Sequence, residues 1–193
     1  MLLCAPLSSL ATPLAGPMAT LKLKNGEVDK LLRLHPEKGS PAETKQKEQI
    51  RELAADLLDY DELSKRALAS HWDELSAAQH KEFVSTLREL IERNYTKQLR
   101  NNLDYQVQYK KEDIDGDDAT VATIVKVKTA GKASDAEIVY KLRKNPGGWH
   151  VWDIITDESS LVRSYKSEFH KIITEKSYDE LIKKMKSKLA EQS

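Results

Sequence analysis

Trp149-His150-Val151-Trp152-Asp153-Ile154-Ile155, then Thr156-Asp157-Glu158-Ser159-Ser160, then Leu161-Val162-Arg163-Ser164-Tyr165-Lys166-Ser167-Glu168-Phe169, is the stretch that decides the fold. Its first seven residues are aromatic and β-branched enough for a strand. Both alternate sides carry apolar residues, which predicts that both faces are covered. Asp157 to Ser160 supply turn and N-cap chemistry. Leu161, Val162, Tyr165, Phe169, Ile172 and Ile173 then recur at helical spacing on one side. A strand feeding directly into an amphipathic helix lays that helix's apolar stripe back against the sheet edge.

Upstream of this junction the apolar period is 2. Leu103, Tyr105, Val107 and Tyr109 alternate with polar residues, and Val121, Thr123, Val125 and Val127 do the same after a turn at Asp113–Asp118. A third strand covers Glu137–Arg143, with Ile138 and Tyr140, and turns at Asn145-Pro146-Gly147-Gly148 into the strand at Trp149. Successive hairpins give a four-stranded antiparallel meander.

Further upstream the period is 3.6. A short helix holds Val28, Leu31 and Leu32 and ends at His35-Pro36. Four later helix starts carry an oxygen side chain with an acid or amide three residues on: Ser40/Glu43, Asp59/Glu62, Ser76/Gln79 and Ser177/Glu180. The helix from Ser76 to about Leu99 is the longest, with Phe83, Leu87, Leu90, Ile91, Tyr95 and Leu99 in one stripe. Helices, then a twisted meander, then two closing helices predict an α+β domain over residues 22–193.

The composition excludes several classes. Charged residues are 32% of the 193 and hydrophobic ones 39%, as in a folded globular protein. Lys+Arg and Asp+Glu are equal at 31 each, so net charge offers no argument for nucleic acid. The one cysteine, Cys4, leaves the body of the chain without disulfides or a thiol nucleophile. Residues 1–21 hold no charge and are rich in Leu, Ala, Pro and Ser, resembling a secretory leader with a cut near Ala19, although a basic start is missing.

Candidate chemistry is sparse. The segment Asp113-x-Asp115-Gly116-Asp117-Asp118 has the look of a calcium loop, but strands flank it and it lacks the twelfth-position Glu, so it reads as a hairpin turn. The five histidines show no metal spacing, and there is no phosphate loop or nucleophile elbow, so neither metal nor cofactor is expected. Asp153 is the one acid in an apolar strand. It is either a general base with Tyr105 or Tyr140, as in cone-shaped isomerase and dehydratase folds, or a group paired with Arg163 or a backbone amide. The dominant signal is an excess of inward apolar residues: Trp72, Phe83, Leu87, Leu90, Ile91 and Tyr95 from helices; Tyr105, Val107, Val121, Val125, Ile138, Tyr140 and Val151 from strands; Leu161, Tyr165 and Phe169 from the closing helix. Periodicity alone does not separate a packed core, a cavity or a cleft that holds a partner helix.

One set of short motifs decides among these readings. Leu58-Asp59-Tyr60, Ala67-Leu68, Trp72, Leu75-Ser76 and Phe83 are followed by Tyr95-x-x-Gln98-Leu99 and Val139-Tyr140-x-Leu142. Trp149-x-Val151-x-Asp153-Ile154 and Ser160-Leu161-Val162-x-x-Tyr165-Lys166-x-x-Phe169 complete it. In this set the chain resembles the periplasmic phospholipid-binding proteins of the MlaC type, the toluene-tolerance family, from about Val28 to Leu189. It departs at Ala69, where the family usually has Gly, and at Ser164-Tyr165-Lys166, where the family has Asn-Tyr-Arg. The resemblance implies a non-enzymatic periplasmic carrier that holds phospholipid acyl chains between sheet and helices, in a pocket lined by the apolar residues named above. Its implied partners are an inner-membrane ABC transporter complex with an MCE-domain subunit and an outer-membrane lipoprotein.

Overall fold

The computed structural model describes residues 16–101, 105–129 and 132–191, and the side chains within them except at 95–101, 105, 127–129 and 132–134. Cys4 and most of the expected leader therefore lie outside the described residues, as do the side chains of Tyr95 and Tyr105. The elements run α1 (Pro17–Leu32), α2 (Pro41–Leu57), α3 (Tyr60–Leu68), a 3-10 turn (Ala69–Glu74), α4 (Ala77–Asn101), β1 (Tyr105–Asp115), β2 (Asp118–Thr129), β3 (Lys132–Asn145), β4 (Gly148–Thr156), β5 (Ser159–Ser160), α5 (Leu161–Glu175) and α6 (Tyr178–Glu191). The strands form one antiparallel sheet in chain order. It has five strands rather than four. The fifth is the two-residue Ser159–Ser160, returned against Ile155 and Thr156 by a turn in which Asp157 and Glu158 both have positive φ.

The caps explain the helix starts. Ser40, Asp59, Ser76 and Ser177 each accept the backbone N–H three residues on, from Glu43, Glu62, Gln79 and Glu180. Gln79 returns the bond to the Ser76 N–H at 2.9 Å. The first helix is longer than the apolar period predicts. It opens at Pro17, a residue pre-set for the first helical turn, and so begins upstream of Ala19. Leu21, one turn on, is 0% exposed and packs with Val121, Leu142 and Val151 of the sheet. The Met18 N–H donates to Glu112 Oε2 at 2.6 Å, and Asn25 Nδ2 donates to the Tyr109 hydroxyl at 2.7 Å. The segment from 17 to 21, which composition alone assigned to the leader, is therefore part of the folded layer.

The sheet carries two bulges. Lys141 pairs with Asp153 and Leu142 with Val151, which leaves Trp152 as the extra residue. Simple alternation would group Ile154 with Trp152. The bulge instead brings Ile154 onto the side of Val151, opposite Tyr140, and turns Trp152 to the other side between Arg66 and Lys141. A second irregularity lies at Lys110 in β1. The register then places Val107, Tyr109, Val121, Thr123, Val125, Ile138, Tyr140, Leu142, Val151 and Ile154 on one face. Beside the sheet, α3 to α6 enclose a second core around Leu63, Phe83, Leu87, Phe169 and Leu181. The turn between β1 and β2 is tighter than the acidic run predicts: strands extend to Asp115 and Asp118, leaving only Gly116 and Asp117 in the bend.

Candidate functional site: an apolar cleft beside the last long strand

A cleft of about 340 Å³ opens where α4, α5 and the β4–β5 hairpin converge. Its walls are Ile154 and Thr156 of β4, Leu161 of α5, and Ile91 and Asn94 of α4. Ser159 and Ser164, both exposed, and the half-buried Tyr165 complete the lining. No charged side chain occurs among these lining residues. Two larger hollows differ in kind. One of about 530 Å³ between α4 and α6 is lined by Glu82, Asp179, Lys183 and Lys186. One of about 480 Å³ between α1 and α2 is lined by Glu27, Lys30, Glu52 and Asp56. Hydrocarbon entering either would strip water from charges, which is costly. Of these three hollows among the described residues, the smaller cleft is the one an apolar group can occupy. Its size is at the low end of ligand pockets, about 300 to 1,000 Å³.

The bent junction of the opening sequence stretch builds this cleft. Asp153, 3% exposed, accepts the Ser160 hydroxyl at 2.8 Å on Oδ2 and the Val162 N–H at 3.0 Å on Oδ1. Ser160 Oγ in turn accepts the Arg163 N–H at 3.0 Å. The carboxylate therefore fastens the first turn of α5 to β4, which fixes Leu161, Ser164 and Tyr165 against Ile154. Of the alternatives for Asp153, the backbone-amide partner is the one present. Arg163 Nη2 instead donates to the Glu158 carbonyl at 2.7 Å. The pairing needed for acid–base chemistry is not assembled: Asp153 aligns with Lys141, next to the Tyr140–Ile154 pair, so Asp153 and Tyr140 project from opposite faces of the sheet. Tyr105, whose side chain lies outside the described residues, pairs through its backbone with Val127.

The described residues singled out from sequence fall into several environments. Ile91, Leu161 and Tyr165 line the cleft. Val107, Val125, Ile138 and Tyr140 are half-buried on the sheet face that continues from Ile154. Phe83 and Leu87 (each 0% exposed), Leu90 and Phe169 are packed within the helical core, and Val121 and Val151 lie under α1. Trp72 stacks on His80 with centroids 4.0 Å apart, its carbonyl contacting the His80 ring nitrogen at 2.8 Å, so it supports the 3-10 turn rather than the cleft. Ile154, Thr156 and Asn94 line the cleft without having been singled out. The bulge that redirects Ile154 leaves no trace in the apolar period. No group of three or more His, Cys, Asp or Glu among the described residues is placed to hold a metal ion; His71 and His170, 3.0 Å apart, form a pair only. Among the described residues, no helix is long and apolar enough to cross a membrane.

An α+β fold with a narrow uncharged cleft between helices and one sheet face defines a class of protein suited to holding an elongated apolar group. The comparisons give its family and its fold. The family model described as MlaC protein matches residues 26–187, and the chain belongs to this family. It is similar to the intermembrane phospholipid transport system binding protein MlaC of Haemophilus influenzae, 29% identical over 135 residues, which cover 67% of this chain and 63% of that protein. The chain thus matches less than two thirds of that relative's length. Its fold is similar to the solved structure of the phospholipid-binding protein from Ralstonia solanacearum in complex with a phospholipid. That match has a TM-score of 0.74 and 22% identity, covering 92% of this chain and 99% of the other.

Proposed function

We propose that this protein is a periplasmic carrier that binds phospholipid by its acyl chains in the cleft beside β4. It shuttles the lipid between inner and outer membranes as the binding component of an ABC lipid-transport system. Its partners are an inner-membrane complex with an MCE-domain subunit and an outer-membrane lipoprotein, and the uncharged stretch ahead of α1 acts as the export leader. The observation that carries the reading is the uncharged lining of the cleft and its continuity, through Ile154 and Tyr140, with a half-buried sheet face. Each methylene moved from water into such a surface contributes about 0.8 kcal/mol, so a sixteen-carbon chain offers roughly 13 kcal/mol before ordering costs. A carrier that draws lipid from a bilayer has to match most of that with apolar surface, and it has no use for a reactive group. The neutral net charge also keeps the carrier from adhering to anionic membranes between deliveries.

The test is direct. Detergent-free protein, extracted with organic solvent, should yield phospholipid by mass spectrometry, and delipidated protein should take up labelled phospholipid from vesicles. Leu161→Arg, which puts a charge on the cleft wall, should lower loading at least about tenfold while the fold survives. Protein that is lipid-free as isolated and takes up none from vesicles would defeat the proposal.

A further inference from the structure

We infer that Tyr165 is the depth gauge of the cleft, the residue that sets how long an acyl chain this protein accepts. The inference rests on the carrier reading above and adds a specificity-determining residue to it. The geometry is a relay of three rings. Tyr165 lines the cleft and stacks on Phe169 with centroids 5.1 Å apart and planes at 13°. Phe169 meets Phe83 edge-on at 5.5 Å and 87°. Behind them, Phe83 and Leu87 are 0% exposed and Val162 is buried, so the packing beyond Phe169 is closed. A chain lying against Ile154, Leu161 and Ile91 and directed toward Phe169 therefore meets the Tyr165 ring, behind which there is no further space.

That ring is held by packing alone. The Tyr165 hydroxyl has no hydrogen-bond partner among the described residues, although burial, helped by the charge of Glu168, raises its pKa. Its neighbour Phe169, in contrast, is fixed on both sides. Changing the size of residue 165 should thus move the end of the cleft without dismantling the core.

The measurement is a set of dissociation constants for a homologous series of saturated lysophosphatidylcholines, taken below their micelle thresholds. While added methylenes are still being buried, affinity should rise roughly fourfold for each one. It should stop rising at the length where the chain meets the ring. Tyr165→Phe should leave that break point where it is, Tyr165→Leu should move it to longer chains, and Tyr165→Trp should move it to shorter ones. A break point that stays put in both the Leu and the Trp variants would overturn the inference. Should the Leu variant fail to fold, the Trp variant decides alone. Wild-type protein that binds no member of the series would instead sink the carrier reading on which the inference stands.

Discussion

The two ends of one sheet face have the same kind of residues and opposite fates. Toward the β1–β2 and β3–β4 turns, Val121, Leu142 and Val151 are each 0% exposed, sealed by Leu21 of α1. Toward the other end, Val107, Val125 and Ile138 remain half-buried although they alternate just as regularly, with Tyr140 and Ile154 on the row of Val121 between the two. Nothing in the strands separates these groups. What differs is the cover: α1 presses a leucine into one end, whereas α4 and α5 flank the other and leave the cleft between Ile91, Ile154, Leu161 and Tyr165. Hollowness here is a property of what lies over the sheet. Stability should therefore reside at the sealed end and ligand binding at the open one.

The strongest way to break this comparison is to cut the same amount of hydrocarbon from each end. Leu142→Ala leaves a cavity in closed packing and should cost about 3 kcal/mol in urea unfolding. Lipid loading of the protein that remains folded should be unchanged. Ile138→Ala, which truncates a half-buried side chain, should cost about 1 kcal/mol and weaken loading. Equal stability losses, or a loading defect confined to Leu142→Ala, would show that the two ends are not divided in this way.

The same contrast marks what was legible in the chain. Ser40, Asp59, Ser76 and Ser177 were readable as caps because capping is chemistry over three residues, and each accepts the amide its spacing implies. The meander was readable from the period-2 runs and the turns between them. The start of α1 was not. The uncharged run before Lys22 has the composition of a leader, and only the contact of Leu21 with a sheet a hundred residues away places it in the fold. The bulge at Trp152 was hidden for a related reason, since an extra residue exists only relative to a partner strand. Within the candidate site, Tyr165 and Phe169 share one helical stripe. Their difference, one facing the cleft and the other buried behind it, depends on Phe83 from α4.

A second, smaller effect sharpens the comparison from the side of the cleft wall. Asp153→Ala strands the Ser160 hydroxyl and the Val162 N–H, both in buried residues, and should cost about 2 kcal/mol. Because those groups pin the first turn of α5, the loss should extend to lipid affinity, which Leu142→Ala spares. Asp153→Asn keeps one acceptor and should fall between the two. A stability change within a few tenths of a kcal/mol would mean that the carboxylate does not hold the helix.

The smallest effect should be a gain, and it lies away from both ends of the sheet. Ala69 follows the last turn of α3 with φ 51° and ψ −121°, a corner that glycine occupies without strain and an L side chain resists. Two terms oppose each other in Ala69→Gly. Releasing the strained backbone returns about 1 to 3 kcal/mol. The added freedom of the unfolded chain takes back about 0.4 to 1 kcal/mol. Strain is the larger, so the variant should be more stable by about 1 kcal/mol, read as a higher urea midpoint with an unchanged slope. The cleft shares no residue with this corner, so lipid affinity should stay the same. A stabilised variant that also binds lipid differently would show that the helical layer and the open end of the sheet are coupled rather than separate.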